Sequence, residues 1–150
     1  SNMAKVPFTK LGLSKNTEIK NIAALVATSI WADGQYDEAE KIVVGEIADA
    51  FELDAAAFAA AVEAELAVIE PMNEDEVNAY ILERSADVDD DEAEMLLQAV
   101  LQVVIVDGVL GEDEVENVLS IASALGINDA RAVLMLADLV KDEPELQILL

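Results

Sequence analysis

The stretch 32-ADGQYDEAE-40 lies between two segments in which apolar residues recur at helical spacing. Gly34 follows the first of these segments, and glycine is the residue that most readily takes the positive φ with which many helices end. The acids after Gly34 favour the first turn of the next helix. The stretch therefore predicts two helices, over about 16–33 and 37–51, joined by a tight Asp-Gly turn.

The same corner occurs again further along the chain. When residue 30 is laid on residue 104, segment 30–54 matches segment 104–128, and Gly34 falls on Gly108. Two copies are too few for a solenoid. We therefore expect a compact bundle with approximate two-fold pseudo-symmetry, built from three-helix repeats over 16–69 and 90–141 and a linking helix between them.

The helices between the two corners carry their own start and stop signals. Asp54 is the predicted N-cap of a third helix, which Pro71 stops. Asn73 and Glu76 have the spacing of a capping box at the start of a fourth helix. The linking helix is therefore the fourth.

Three further helices follow in the second half. The fifth, over about 89–107, is apolar on nearly every side, which predicts a central, buried helix. The sixth covers about 112–125 and the seventh about 128–141, with Gly126 as terminator between them. The tail 142–150 ends in an apolar cluster that either docks on the bundle or mediates association.

The composition points to helices. Of the 150 residues, 54% are hydrophobic and only 4% are aromatic, so the core consists mainly of small and aliphatic side chains. Long strand-like alternation is absent. The fold class expected is all-α, with about seven helices in one bundle.

The charge narrows the range of partners. Asp and Glu number 32 against 8 Lys and Arg, which gives a formal net charge of −24. Such a polyanion repels nucleic-acid phosphates and anionic lipids. A divalent cation or a basic protein partner is the natural counter-charge, and nucleic-acid binding is not expected.

Several other functions are also disfavoured. The chain has no Cys and no His, which removes thiolate nucleophiles, the usual general base and the usual zinc ligands. Residues 1–15 are interpreted as a tag remnant and an N-terminal arm, and lysines interrupt this region before a signal-peptide pattern can form. The longest apolar stretch, 95–106, is too short to span a bilayer. A cytoplasmic protein without membrane insertion is expected.

The opening stretch resembles the rear half of a calcium loop. With Gly34 at the sixth place of an EF-hand loop, Asp33 takes the fifth and Glu40 the twelfth, where calcium is ligated. The first and third places are Ser29 and Trp31, and the second copy has apolar residues at both. A complete EF-hand is therefore not expected.

Two interpretations of the remaining acids stay open. In one, the acids cap helices and shape the turn, and no ligand is involved. In the other, they bind a cation. An Asp in the last turn of a helix faces the negative end of the helix dipole, so its presence in both copies suggests a local compensation.

These residues resemble the TerB-like domains, the family of tellurite-resistance protein B. The resemblance rests on an Ala-Asp-Gly turn followed by acids and an apolar helix, as in 32-ADGQYDEAEKIVVGEIADAF-51 and, less fully, in 106-VDGVLGEDEVENVLSIASAL-125. It extends over about 16–140 and implies an all-helical fold, a role in bacterial stress or metal resistance, and a patch of acids that holds a divalent cation. Carried onto this chain, that patch comprises Asp33, Glu40, Asp107 and Glu114, with Asp37, Glu38 and Glu112 as neighbours.

Three functions follow from these observations. The first is a non-enzymatic TerB-like module that offers an acidic surface and a candidate divalent-cation site, of unknown metal identity, to a partner in a stress or tellurite-resistance response. The second is a structural or self-associating helical module, a homodimer through its C-terminal tail. The third, least favoured, is a metal-dependent enzyme that uses carboxylates as acid and base. Two local expectations accompany them: Trp31 belongs to the core, and the acidic run 87–94 is a solvated helix start.

Overall fold

The computed structural model describes residues 19–106 and 108–149, which form a helical bundle with one very short sheet. Its elements are α1 (Ile19–Asp33), α2 (Glu38–Ala50), α3 (Ala55–Ile69), α4 (Glu74–Ser85), α5 (Asp90–Ile105), β1 (Val109–Gly111), α6 (Glu112–Ala124), α7 (Asp129–Lys141) and β2 (Gln147–Leu149). The expected all-α class and the seven helices are confirmed for these residues. The arm 1–15 lies outside them, and so do residues 16–18 of the first predicted helix.

The predicted caps set the helix ends. Asp54 accepts a hydrogen bond from the backbone N–H of Ala57 at 3.3 Å, and Asn73 and Glu76 form the reciprocal capping box predicted for α4. Gly34, Gly108 and Gly126 all have positive φ, near +80°. The helix boundaries are therefore local properties of the sequence, set by caps and glycines at the expected places.

The most deeply buried helix is α1. Every residue from Asn21 to Ile30 is buried, and the helix packs against α3, α4, α5 and α6. The prediction placed α5 at the centre. The apolar residues of α5 are buried, but Glu94 and Gln98 face solvent, so α5 is covered on fewer sides than α1. Ala, Thr and Ser on α1 allow its neighbours to approach closely on every side.

A buried polar network joins α3 to α4. The Tyr80 hydroxyl donates to Glu65 Oε1, and the Arg84 guanidinium lies 3.6 Å from the same oxygen. Arg84 also stacks over the Tyr80 ring, 5.1 Å from its centroid. Burial and the Glu65 carboxylate raise the pKa of Tyr80, so its hydroxyl stays protonated. This network holds α4 against α3.

The acidic run at the start of α5 is only partly solvated. Asp89, Asp90 and Asp91 are exposed as expected, but Glu92 is fully buried. Glu92 lies one turn before Leu96 and so shares the face that α5 turns to the core. The expectation of a wholly solvated run is therefore wrong at Glu92.

The sheet was not predicted. Strands β1 and β2 pair in parallel, with Leu110 opposite Ile148, and the backbone N–H of Gln147 donates to the Gly108 carbonyl at 2.8 Å. Three-residue strands are too short to show alternation in sequence. The pairing seats the tail on the bundle, one of the two alternatives expected for it.

Seven helices follow one another along the described residues, with α4 as the fourth. The first half has no counterpart of β1 in the corner between its first two helices. The two-fold relation between the halves stays a prediction.

Candidate functional site

The first corner brings three of the predicted acids to the junction of α1 and α2. The Gly34 N–H donates to the carbonyls of Ile30 and Trp31, both at 3.1 Å, and its φ of +84° turns the chain out of α1. A side chain would have a steric cost at this φ. The turn places Asp33, at the end of α1, beside the first turn of α2.

Asp37 and Glu40 form a capping box at the start of α2. Asp37 Oδ1 accepts from the Glu40 N–H at 3.1 Å, and Glu40 Oε1 accepts from the Asp37 N–H at 3.2 Å. This arrangement fixes the Glu40 side chain, which is only 1% exposed. A carboxyl group at the third position of a helix is ordinarily solvated, so its burial here is unusual.

The second Glu40 oxygen lacks an ordinary partner. Oε2 is buried and accepts no hydrogen bond from an N–H or hydroxyl of the described residues. The Asp33 carboxyl lies beside the Glu40 carboxyl, close enough for the two charges to interact. Burial, and then the charges of Asp33 and Asp37, raise the pKa of Glu40 to about 8. The corner therefore favours a compensating positive charge, which a proton or a metal cation could supply.

The Tyr36 hydroxyl lies in the same negatively charged environment. Burial raises the pKa of its hydroxyl, and the carboxylates of Glu63 and Glu40 raise it further. Lys41 lies over the Tyr36 ring, 5.5 Å from its centroid. The corner thus attracts positive charge.

Glu38 does not join this cluster. Its carboxylate is exposed and lies 3.7 Å from the Lys41 ammonium group. Of the residues predicted for the first site, Asp33, Asp37 and Glu40 come together, and Glu38 points to solvent.

The second corner differs from the first. Gly111 occupies the N-cap of α6, where the first copy has Asp37, and it offers no side-chain cap. Glu114 folds back over Gly111, so closely that a Cβ there would lie 2.7 Å from Glu114 Oε2. Glu112 is exposed, and Asp107 lies outside the described residues.

The donors at the first corner are carboxylates, which suit hard cations such as Mg²⁺, Ca²⁺ and Mn²⁺. Within residues 19–106 and 108–149, no group of three or more acids is arranged so that it could hold a metal ion. A cation bound by Asp33 and Glu40 would therefore complete its coordination mainly with water. The orphaned Glu40 Oε2 fits such an ion, and the small number of protein ligands implies weak binding.

A second polar feature was not predicted from the sequence. A cleft of about 700 Å³ lies where α1, α4 and α6 meet. Trp31, expected in the core, is only partly buried and lines this cleft, together with acids from α4 and α6. No local motif marks the cleft, because its residues come from three separate helices.

Fold and corner together define a class of protein: an all-helical module with acidic Asp-Gly corners between helices. The family model of TerB, "Tellurite resistance protein TerB", matches residues 20–137, which is most of the chain. The chain therefore belongs to the TerB family. Searches of curated proteins and of solved structures give no significant match. No helix among the described residues has the length and apolar character needed to cross a bilayer.

Proposed function

We propose that this chain is a non-enzymatic, cytoplasmic binding module of a bacterial stress or tellurite-resistance response, and that its first corner binds one hydrated divalent cation. The observation that carries the proposal is the buried Glu40 carboxyl, with one oxygen unsatisfied and Asp33 beside it. The family name supplies the link to tellurite resistance.

The cation would be held by Asp33 and Glu40. It would take the place of a proton there, since two negative charges at one buried position need a compensating positive charge. Asp37 would contribute mainly by fixing Glu40 through the capping box. When bound, the ion would supply positive charge and would tie the end of α1 to the start of α2.

Calorimetric titration with Mg²⁺, Ca²⁺ and Mn²⁺ tests this role. Because the pKa of Glu40 is raised to about 8, cation binding near neutral pH should release a proton, and the measured heat should depend on the ionisation enthalpy of the buffer. Asp33→Asn and Glu40→Gln should each abolish the binding. Glu38→Gln, which removes one charge from the same helix turn, should leave it unchanged. Equal and negligible heats for the wild type and both corner variants would reject the cation site.

We propose the second corner as a separate cation site. Asp107, Glu114 and Glu112 would form a weaker site, because Gly111 lacks the carboxylate that fixes Glu40 in the first corner. A second, weaker heat that survives Glu40→Gln and disappears in Asp107→Asn would be the expected sign of it. A single binding event, lost completely in Glu40→Gln, would argue against the second corner.

A basic protein is the proposed macromolecular partner. The net charge of −24 favours association with a positively charged surface and opposes nucleic acid. Binding of this kind should weaken as salt is added, since exposed charges are screened over about 8 to 10 Å at ordinary ionic strength.

Self-association through the tail is the second candidate. The observation in its favour is the exposed apolar pair on β2, Ile148 at 47% and Leu149 at 58% exposure, on a strand of a two-stranded sheet. Sedimentation of the full chain and of an Ile148→Glu variant tests it. A monomer in both cases would remove this candidate.

A further inference from the structure

The cleft between α1, α4 and α6 carries negative charge on its walls. Its acidic lining residues are Glu74 from the start of α4 and Asp113 and Glu116 from the first turns of α6, and its lining includes neither Lys nor Arg. Trp31 adds an aromatic face at the end of α1. Carboxylates beside an aromatic ring form an environment that suits an organic cation.

Asn117 provides an independent observation. It is 7% exposed, and with Val77 it is one of the buried residues in the cleft lining. Its side-chain nitrogen is buried and has no hydrogen-bond partner among the described residues. An unsatisfied buried donor is costly, and a ligand that carries an acceptor would relieve that cost. Asn117 lines the cleft, so a ligand bound there could supply the missing acceptor.

The carboxylates do not suit a metal ion. No group of three or more acids in the described residues is arranged to hold one, so the spacing of Glu74, Asp113 and Glu116 does not suit a single small cation. A planar guanidinium on a long side chain spans such a spacing better, because it carries five donors in fixed directions. A ligand that also satisfies Asn117 must bring an acceptor close to its positive charge. A peptide has both, in its carbonyl groups and in the arginine side chain.

We propose that this cleft binds an arginine-bearing peptide segment of a partner protein. The guanidinium lies over Trp31 and pairs with Glu116 and its acidic neighbours, and a peptide carbonyl accepts from the Asn117 amide. The inference rests on the proposed basic partner and names its docking site. It does not depend on a cation at Asp33 and Glu40.

Trp31 is the only tryptophan in the 150 residues, so its fluorescence reports on the cleft directly. The full chain would be titrated, with chelator present, with a short blocked peptide that contains one arginine. The same peptide with citrulline, which keeps the shape and loses the charge, is the first control. Spermidine, which has charge but no carbonyl, is the second.

Two variants and a matched control locate the binding. Glu116→Gln removes one carboxylate from the wall, and Asn117→Leu removes the buried donor. Asp75→Asn removes a charge from the same turn of α4 as Glu74, at an exposed position outside the cleft lining. Thermal unfolding confirms that each variant folds. Asn117→Leu should unfold at a slightly higher temperature, because it removes an unsatisfied polar group.

Saturable binding of the arginine peptide is expected, weakened about tenfold by Glu116→Gln and by Asn117→Leu and unchanged by Asp75→Asn. The citrulline peptide should not bind, and spermidine should bind equally to the wild type and Asn117→Leu. Absence of saturable binding below about 10 mM peptide would overturn the proposal, and so would equal binding by the wild type and both cleft variants. Glu40→Gln should bind the peptide normally, so failure of the cation site and failure of the cleft are distinguishable.

Discussion

Because the pKa of Glu40 is raised, the free energy of unfolding of this protein should depend on pH near neutrality. The carboxyl has a pKa of about 8 in the folded chain against 4.5 for an unperturbed Glu. A group whose pKa is higher in the folded state binds its proton more tightly there, so it contributes stability below its unfolded pKa. That contribution is lost as the pH rises through the folded pKa. The free energy of unfolding should therefore fall with increasing pH.

The size of the effect follows from proton linkage. Between about pH 6 and pH 8.5 the unfolded chain has Glu40 ionised, while the folded chain still holds the proton over most of the range. At a maximum of about 1.4 kcal/mol per pH unit, the loss over this interval is about 2 to 3 kcal/mol. For a chain of this size that corresponds to a fall of roughly 5 to 10 °C in the midpoint of thermal unfolding.

In this protein the pH dependence caused by Glu40 can be measured with little interference from other titrating groups. It has no His and no Cys, so few other groups titrate between pH 6 and 8.5, and ordinary carboxylates are already ionised there. Urea unfolding at several pH values in this range, without divalent cations, measures the slope. Glu40→Gln should flatten it. Glu38→Gln, the exposed neighbour, should retain it.

Two results would refute the reasoning. Wild-type stability that is level from pH 6 to 8.5 would mean that Glu40 is ionised in the folded chain at neutral pH. The same slope in Glu40→Gln as in the wild type would assign it to another group, such as the α-amino group.

Three further predictions concern the fold. Glu65→Ala should lower the free energy of unfolding by about 2 to 3 kcal/mol, because it leaves the partly buried Arg84 without its carboxylate and the Tyr80 hydroxyl without its acceptor. Tyr80→Phe should cost less, and a double-mutant cycle in urea should show that the two losses are not additive. Gly34→Ala should lower the free energy of unfolding by about 1 to 2 kcal/mol in the same assay, because the φ of Gly34 is positive. Gly45→Ala is the matched control: Gly45 lies inside α2 with open space around the added methyl, so this change should be neutral or should stabilise by up to about 1 kcal/mol. Asn73→Ala should cost about 1 kcal/mol by removing the cap of α4, and an equal loss in Asp75→Ala, which is exposed in the same turn, would contradict that assignment.

The helices could be predicted from the sequence more completely than the two proposed sites. Asp54, Asn73 and Gly126 act within a few residues of their own positions, so caps and terminators were predictable one helix at a time. Asp33 and Glu40 could be grouped because one tight turn connects them. Burial of Glu40 could not be predicted, since it depends on how α2 packs on the bundle. Trp31, Glu74 and Asn117 are far apart in sequence, and the cleft that joins them exists only after three helices have packed.

The last turn of α1 connects the two proposed sites. Trp31 lines the cleft and Asp33 belongs to the corner. Residues two positions apart in a helix have Cα atoms only about 5 to 6 Å apart, but their side chains point to nearly opposite sides. The sites are therefore distinct, yet close enough for their charges to interact through the protein. A cationic peptide in the cleft should favour the ionised form of Glu40 and oppose a divalent cation at the corner. By reciprocity, a bound cation should weaken binding of the peptide by the same factor. In Glu40→Gln, which should not bind the cation, added Mg²⁺ should therefore leave the affinity of the cleft for the peptide unchanged.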